Sequence, residues 1–127
     1  MTLQAALLIA LSGAAGALSR YGLSLWIAAL SARQAWYSFP LATLLINVSG
    51  SFALGLVMGL AGRGALSAEL RLALGVGFLG AFTTFSAFSV DLDTLITRGE
   101  WGKAALVLFG NVGLGFAAAV AGRLLAR

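Results

Sequence analysis

Charged residues are absent from positions 1–19, 34–62, 72–90 and 104–122, and apolar residues dominate each of these runs. A helix needs about 20 such residues to cross the hydrocarbon core of a bilayer. The pattern therefore predicts an all-α membrane protein with four transmembrane helices, at roughly 3–30, 38–61, 69–96 and 101–125. Arg20 is the only charge well inside a predicted span. The connections are short, so 1–127 is expected to form a single four-helix transmembrane domain. Pro40 is expected in the first turn of the second helix, where its missing N–H matters least.

Composition agrees with that pattern and removes other classes. Hydrophobic residues make up 61% of the chain and charged residues 9%, against about a quarter charged in soluble domains. A soluble domain, a disordered tail and a nucleic-acid binder are excluded. The chain has no His and no Cys. Imidazole bases, thiol nucleophiles, disulfides and the usual zinc sites are excluded with them. Asp91 and Asp93 could be taken for a metal-binding pair, but no nucleophile or base accompanies them, so no enzyme is expected. They are read instead as caps of the third helix at the membrane interface. Ala15-Gly16-Ala17 resembles a cleavage site, yet Met1 to Gln4 carries no Lys or Arg, so the first span is expected to stay in place.

The net charge of +4 bears on orientation rather than on anionic partners. With the N-terminus cytoplasmic, Arg63, Arg71, Arg123 and Arg127 share that side, and Arg33, Arg98 and Lys103 the other. Four against three is almost no bias. Two readings follow: insertion in both orientations, favouring an antiparallel homodimer, or one dominant loop arginine and a unique orientation.

Small and polar residues recur every fourth position: Gly16, Arg20 and Ser24 in the first span; Asn47, Ser51, Gly55 and Gly59 in the second; Asn111, Gly115 and Ala119 in the fourth. Such stripes let helix backbones approach closely. For the glycines, helix contact is a sufficient explanation. Intramembrane Asn and Arg need more, because they line a pathway or pair with something buried. In the third span, residues 80–89 combine Gly80 with Thr83, Thr84, Ser86 and Ser89 at mid-membrane. Hydroxyls there bond back to carbonyls and bend or break a helix. Phe85 and Phe88 lie three residues apart and can share a face; the spacing alone reads as two core phenylalanines at a kink.

Taken together, residues 16–21 (Gly-Ala-Leu-Ser-Arg-Tyr), 43–52 (Thr-Leu-Leu-Ile-Asn-Val-Ser-Gly-Ser-Phe) and the Phe82 to Phe88 run resemble the Fluc (CrcB) family of microbial fluoride channels. The likeness spans three of the four helices, in the right order. It implies a fluoride-selective channel that exports fluoride across the bacterial plasma membrane. It also implies an antiparallel dual-topology homodimer with a break in the third helix and a structural sodium ion at the dimer centre. By the same resemblance Asn47 lines the pore as an amide donor, and Phe85 and Phe88 present ring edges to the ion. Backbone carbonyls of Gly80 and Thr83 hold the sodium, and Arg20 matches the arginine that ends the first motif. Ala81 and Ala87 depart from the family's usual glycine and threonine. The fourth-helix track of tyrosine and serine corresponds here to Val107 and Asn111, with Asn111 a candidate donor in place of the serine.

The physics of the ion is compatible with this resemblance. Fluoride is strongly hydrated, so its pore must supply N–H and O–H donors, and carboxylates would repel it. No Asp or Glu lies deep in a span. Aromatic edges are electropositive and can face an anion. A fixed charge at the narrowest point would hold the anion too tightly, which places Arg20 in a vestibule or a structural role. Two other classes are weighed. A small dual-topology multidrug exporter needs an embedded carboxylate that the first span lacks; a non-conducting packing subunit differs from a channel only in carrying no flux.

Overall fold

The computed structural model describes residues 2–32 and 38–127. Four helices long and apolar enough to cross a membrane run through them: α1 (Leu3–Ser31), α2 (Leu41–Gly62), α3 (Ala68–Thr97) and α4 (Trp101–Leu125). Among the described residues there is no strand. Each helix reverses the direction of the one before. One end of the bundle therefore carries Arg63, Arg71 and Arg123, and the other carries Arg98 and Lys103. Arg33, counted above on that second side, lies outside the described residues.

The helix limits follow from local chemistry. Thr2 caps α1 by accepting from the Ala5 N–H at 3.2 Å. Pro40 is the residue before α2, not part of its first turn as the sequence suggested. Its backbone (φ −77°, ψ 63°) closes a three-residue turn in which Leu41 N–H donates to Phe39 O at 2.7 Å. Gly64 and Gly99 end α2 and α3 in left-handed conformations, φ 70° and 72°. Beyond Gly99 the Glu100 N–H donates to Leu95 O at 2.9 Å, closing the helix end.

Two helices are not regular throughout. Leu72–Leu79 in α3 and Gly110–Leu114 in α4 adopt wide π turns, a form that occurs at functional positions. The backbone of α3 also becomes extended at Thr83 (φ −79°, ψ 156°) and Thr84 (φ −148°, ψ 118°). A first limb (68–82) is thereby set off from a second limb, Phe85–Thr97. Thr84 restarts the helix by accepting the Ala87 N–H on its hydroxyl at 3.1 Å.

The small-residue stripes are where the helices touch. A side chain at Gly16 would collide with the Phe78 carbonyl, so α1 lies directly against the first limb of α3. Gly55 meets the Ala119 carbonyl and Gly122 meets that of Phe52, seating α2 and α4 backbone to backbone. Few side chains are buried within the chain. Phe88, Leu95, Ala104 and Val107 form a cluster between the second limb of α3 and the start of α4, with Phe39 and Leu92 against it. Elsewhere large apolar side chains such as Leu11, Leu18 and Phe116 point outwards, each more than 70% exposed, as suits helices solvated by lipid.

Candidate functional site

Asn47 projects from the second turn of α2 towards the point where α3 becomes extended. Its Oδ1 accepts the Thr84 N–H at 2.8 Å. Its Nδ2 donates to Thr84 O at 3.0 Å and to Asn111 Oδ1 on α4 at 2.8 Å. An amide side chain thus supplies the donor and the acceptor that the extended, half-buried Thr84 backbone lacks within its own helix. Asn111 completes the link: its own Nδ2 donates to Val107 O at 3.0 Å, and Val107 is fully buried.

A cavity of about 210 Å³ opens beside this junction. It is lined by Asn47, Ser51, Thr83, Thr84, Phe85 and Phe88, with Asn111 and Val112 from α4. The rings of Phe85 and Phe88 meet edge to face, centroids 5.6 Å apart. Phe88 is 6% exposed and belongs to the internal cluster, whereas Phe85 is 79% exposed and stands at the outer wall. No acidic or basic side chain lines the cavity.

Five residues singled out in the sequence, Asn47, Thr83, Phe85, Phe88 and Asn111, are therefore brought to one place. Arg20 and Gly80 lie outside it. Arg20 Nε donates to Ala81 O at 3.1 Å. That carbonyl is in the last turn of the first limb, where a cation also complements the negative end of a helix. Gly80 is exposed. The hydrogen-bond roles differ from expectation in one respect. Both hydrogens of the Asn47 amide are engaged within the chain, and Asn111 meets Asn47 as an acceptor rather than as a donor. The geometry is local in origin: Asn111 stands four residues after Val107 and returns a hydrogen to that carbonyl.

Asp91 requires a correction. It does not cap α3, which continues to Thr97. Its Oδ2 accepts from Thr43 Oγ1 at 2.6 Å and so ties the second limb of α3 to α2 one turn beyond Asn47. No group of three or more His, Cys, Asp or Glu is placed to hold a metal among the described residues. A larger hollow of about 590 Å³ lies far from this junction, between the start of α1, the end of α2 and the start of α3. Leu8, Leu54, Met58 and Val76 line it, and it takes in none of the site residues predicted from the sequence.

Two residues of the site are not marked as such by the sequence. Thr84 reads there only as a helix-weakening residue, although its backbone is the centre of the network. Ser51 reads only as one of the small residues spaced four apart on α2, although its side chain lines the cavity.

Apolar helices enclosing a polar junction at mid-span define a multi-pass integral membrane protein with an intramembrane polar site. Residues 7–123 match the family model described as CrcB-like protein, Camphor Resistance (CrcB), and the chain belongs to that family. Three relatives named "Fluoride-specific ion channel FluC" are similar over nearly all of it. That of Deinococcus radiodurans is 52% identical over 117 residues, 92% of this chain and 90% of the relative. One from Thermus thermophilus is 49% identical over 117 residues, 91% of this chain and 88% of the relative. That of Roseiflexus sp. is 46% identical over 121 residues, 94% of each.

Proposed function

We propose that this chain is a fluoride-selective ion channel that exports fluoride across the cell membrane and relieves fluoride toxicity. The observation that carries the reading is the cavity at Thr84, where amide and hydroxyl groups and two phenylalanine rings converge with no acid among them. An anion that sheds water needs N–H and O–H donors in its place, and ring edges add a weaker positive field. The relatives named as fluoride-specific channels, 46% to 52% identical, support fluoride as the ion. An ion entering the cavity competes with Asn111 Oδ1 for one Asn47 hydrogen and leaves the Asn47–Thr84 pairing in place.

The working unit in this reading is an antiparallel dual-topology homodimer. The near-equal loop charges support it. So does the outer wall of the cavity: Phe85 is 79% exposed on a single chain, and a second copy would enclose it. The extended residues Thr83 and Thr84 serve as the break in the third helix.

A structural sodium ion at the dimer centre fits the donor set available. The amide four residues beyond Gly80, Thr84 N–H, is given to Asn47, and the one four beyond Thr83, Ala87 N–H, is given to Thr84 Oγ1. The carbonyls of Gly80 and Thr83 are thereby deprived of their usual helical partners, and neutral carbonyl oxygens suit a monovalent cation. When bound, sodium would supply positive charge to these carbonyls. Arg20 already takes the intervening carbonyl of Ala81.

The test is growth. A bacterium stripped of its own fluoride export and given this chain should tolerate millimolar fluoride. The same strain remaining as sensitive as with an empty vector, although the protein is present in its membrane, would overturn the reading.

A further inference from the structure

Most hydroxyls in the spans are engaged on their own helix. Ser12, Ser24, Ser31, Ser49, Thr83, Ser89 and Thr94 each donate to the carbonyl four residues before them, as hydroxyls in apolar helices ordinarily do. Thr43 donates to Asp91, and Thr84 is paired with Ser86 and with the Ala87 N–H. Ser51 differs. It is half-buried, it lines the cavity, and its hydroxyl makes no hydrogen bond among the described residues.

Its surroundings leave room on that side. The residue facing it on α4 is Gly115, and even a β-carbon there would stand 3.7 Å from Ser51 Oγ. Asn47 lies four residues earlier on the same face of α2, about 6 Å away along the axis. Both Asn47 hydrogens are engaged, and Thr83 Oγ1 is turned to Leu79 O. Ser51 therefore brings to the cavity a hydroxyl with no hydrogen-bond partner among the described residues, whereas the Thr84 hydroxyl is held between Ser86 Oγ and the Ala87 N–H.

We propose that the Ser51 hydroxyl is a fluoride-binding donor, one helical turn from Asn47, and that a passing ion moves between these two groups. The inference rests on the channel reading above and adds a residue to it. A dehydrated anion gains more from a free O–H than from an N–H it must first take from Asn111. Two moderate sites about one turn apart also meet the requirement that an ion be bound yet released.

The test compares fluoride efflux from proteoliposomes for the parent, Ser51→Ala, Ser51→Thr, Ser51→Val and Ser49→Ala. Thr and Val are nearly isosteric and differ in the hydroxyl, so that pair decides the matter even if Ser51→Ala fails to assemble. The Thr variant should conduct at least tenfold faster than the Val variant, the worth of one hydrogen bond to an ion. Ser51→Ala should fall with Val, and Ser49→Ala, whose hydroxyl serves only the Leu45 and Ile46 carbonyls of its own helix, should match the parent. Fluoride binding followed by ¹⁹F NMR should weaken in Val and persist in Thr. Equal flux and equal binding in Thr and Val, beside a conducting parent, would overturn the role of Ser51 alone. A parent that passes no fluoride would remove the channel reading and this inference together.

Discussion

Asn47 and Thr84 pair like two peptide groups in a sheet: Oδ1 accepts the Thr84 N–H at 2.8 Å while Nδ2 donates to the Thr84 carbonyl at 3.0 Å. The side chain of one helix thereby completes the backbone of another at a point where lipid offers no substitute partner. The same pairing places Asn47 at the wall of the cavity, so in the proposed channel one residue serves both structure and transport. Replacing Asn47 by Leu removes three hydrogen bonds and leaves the half-buried Thr84 backbone groups unsatisfied, at a cost of about 2–4 kcal/mol. Thermal unfolding in detergent should show a clearly lowered midpoint. An unchanged midpoint would mean that the pairing contributes nothing to stability.

Phe85 and Phe88 touch, but their surroundings on a single chain are opposite. Phe88→Ala opens a hole in the cluster with Leu95, Ala104 and Val107, which should destabilise the fold by about 3–5 kcal/mol. Phe85→Ala removes a ring that is 79% exposed and should alter the unfolding midpoint far less. Replacement of either by Ile keeps apolar bulk and removes the ring edge, so fluoride flux should fall in both while assembly survives. Measuring the midpoints and flux side by side separates the two effects; Ile variants that conduct like the parent would exclude the rings from the path.

Gly16 bears directly on the Phe78 carbonyl. Gly16→Ala must push α1 away from the first limb of α3, because the atom it meets is backbone and cannot turn aside. A loss of about 1–3 kcal/mol is expected, and with it a loosened Arg20–Ala81 hydrogen bond. Unfolding of the Ala variant at the parent's midpoint would contradict this packing.

The proposed antiparallel dimer makes a topological claim that cells can answer. Reporters fused after Arg127 should signal from both sides of the membrane. Adding two lysines to one connection should bias orientation and reduce fluoride tolerance, and tolerance should return when an oppositely biased copy is supplied. A reporter confined to one side in the parent would remove dual insertion.

The spans are legible in the sequence because they are charge-free. The pattern predicts α1 at 3–30 and it lies at Leu3–Ser31; it predicts α4 at 101–125 and it lies at Trp101–Leu125. α2 begins three residues later than expected, at Leu41, because Pro40 closes a turn with Phe39 instead of entering the helix. Thr83 and Thr84, where α3 becomes extended, fall within the Gly80 to Ser89 segment that its hydroxyls and glycine mark out. Contacts distant in sequence stay hidden. That Asn47 needs a partner can be argued from its cost in lipid; that the partner is the peptide of Thr84, 37 residues on, cannot. The wide turn at Gly110–Leu114 has only Gly110 and Gly113 as cues, and that turn sets where Asn111 stands. Ser51 is concealed by its own spacing, since small residues four apart on a helix already have a reason to be there.

The most direct test of the account is ion selectivity in purified, reconstituted protein. Vesicles loaded with equal concentrations of potassium fluoride or potassium chloride, with valinomycin to carry the potassium, should release fluoride rapidly and chloride at the background rate of empty vesicles. Asn47→Leu, in the fraction that still assembles as a dimer, should lose most of the fluoride release. Chloride leaving the parent as readily as fluoride, or fluoride leaving no faster than from empty vesicles, would contradict the account.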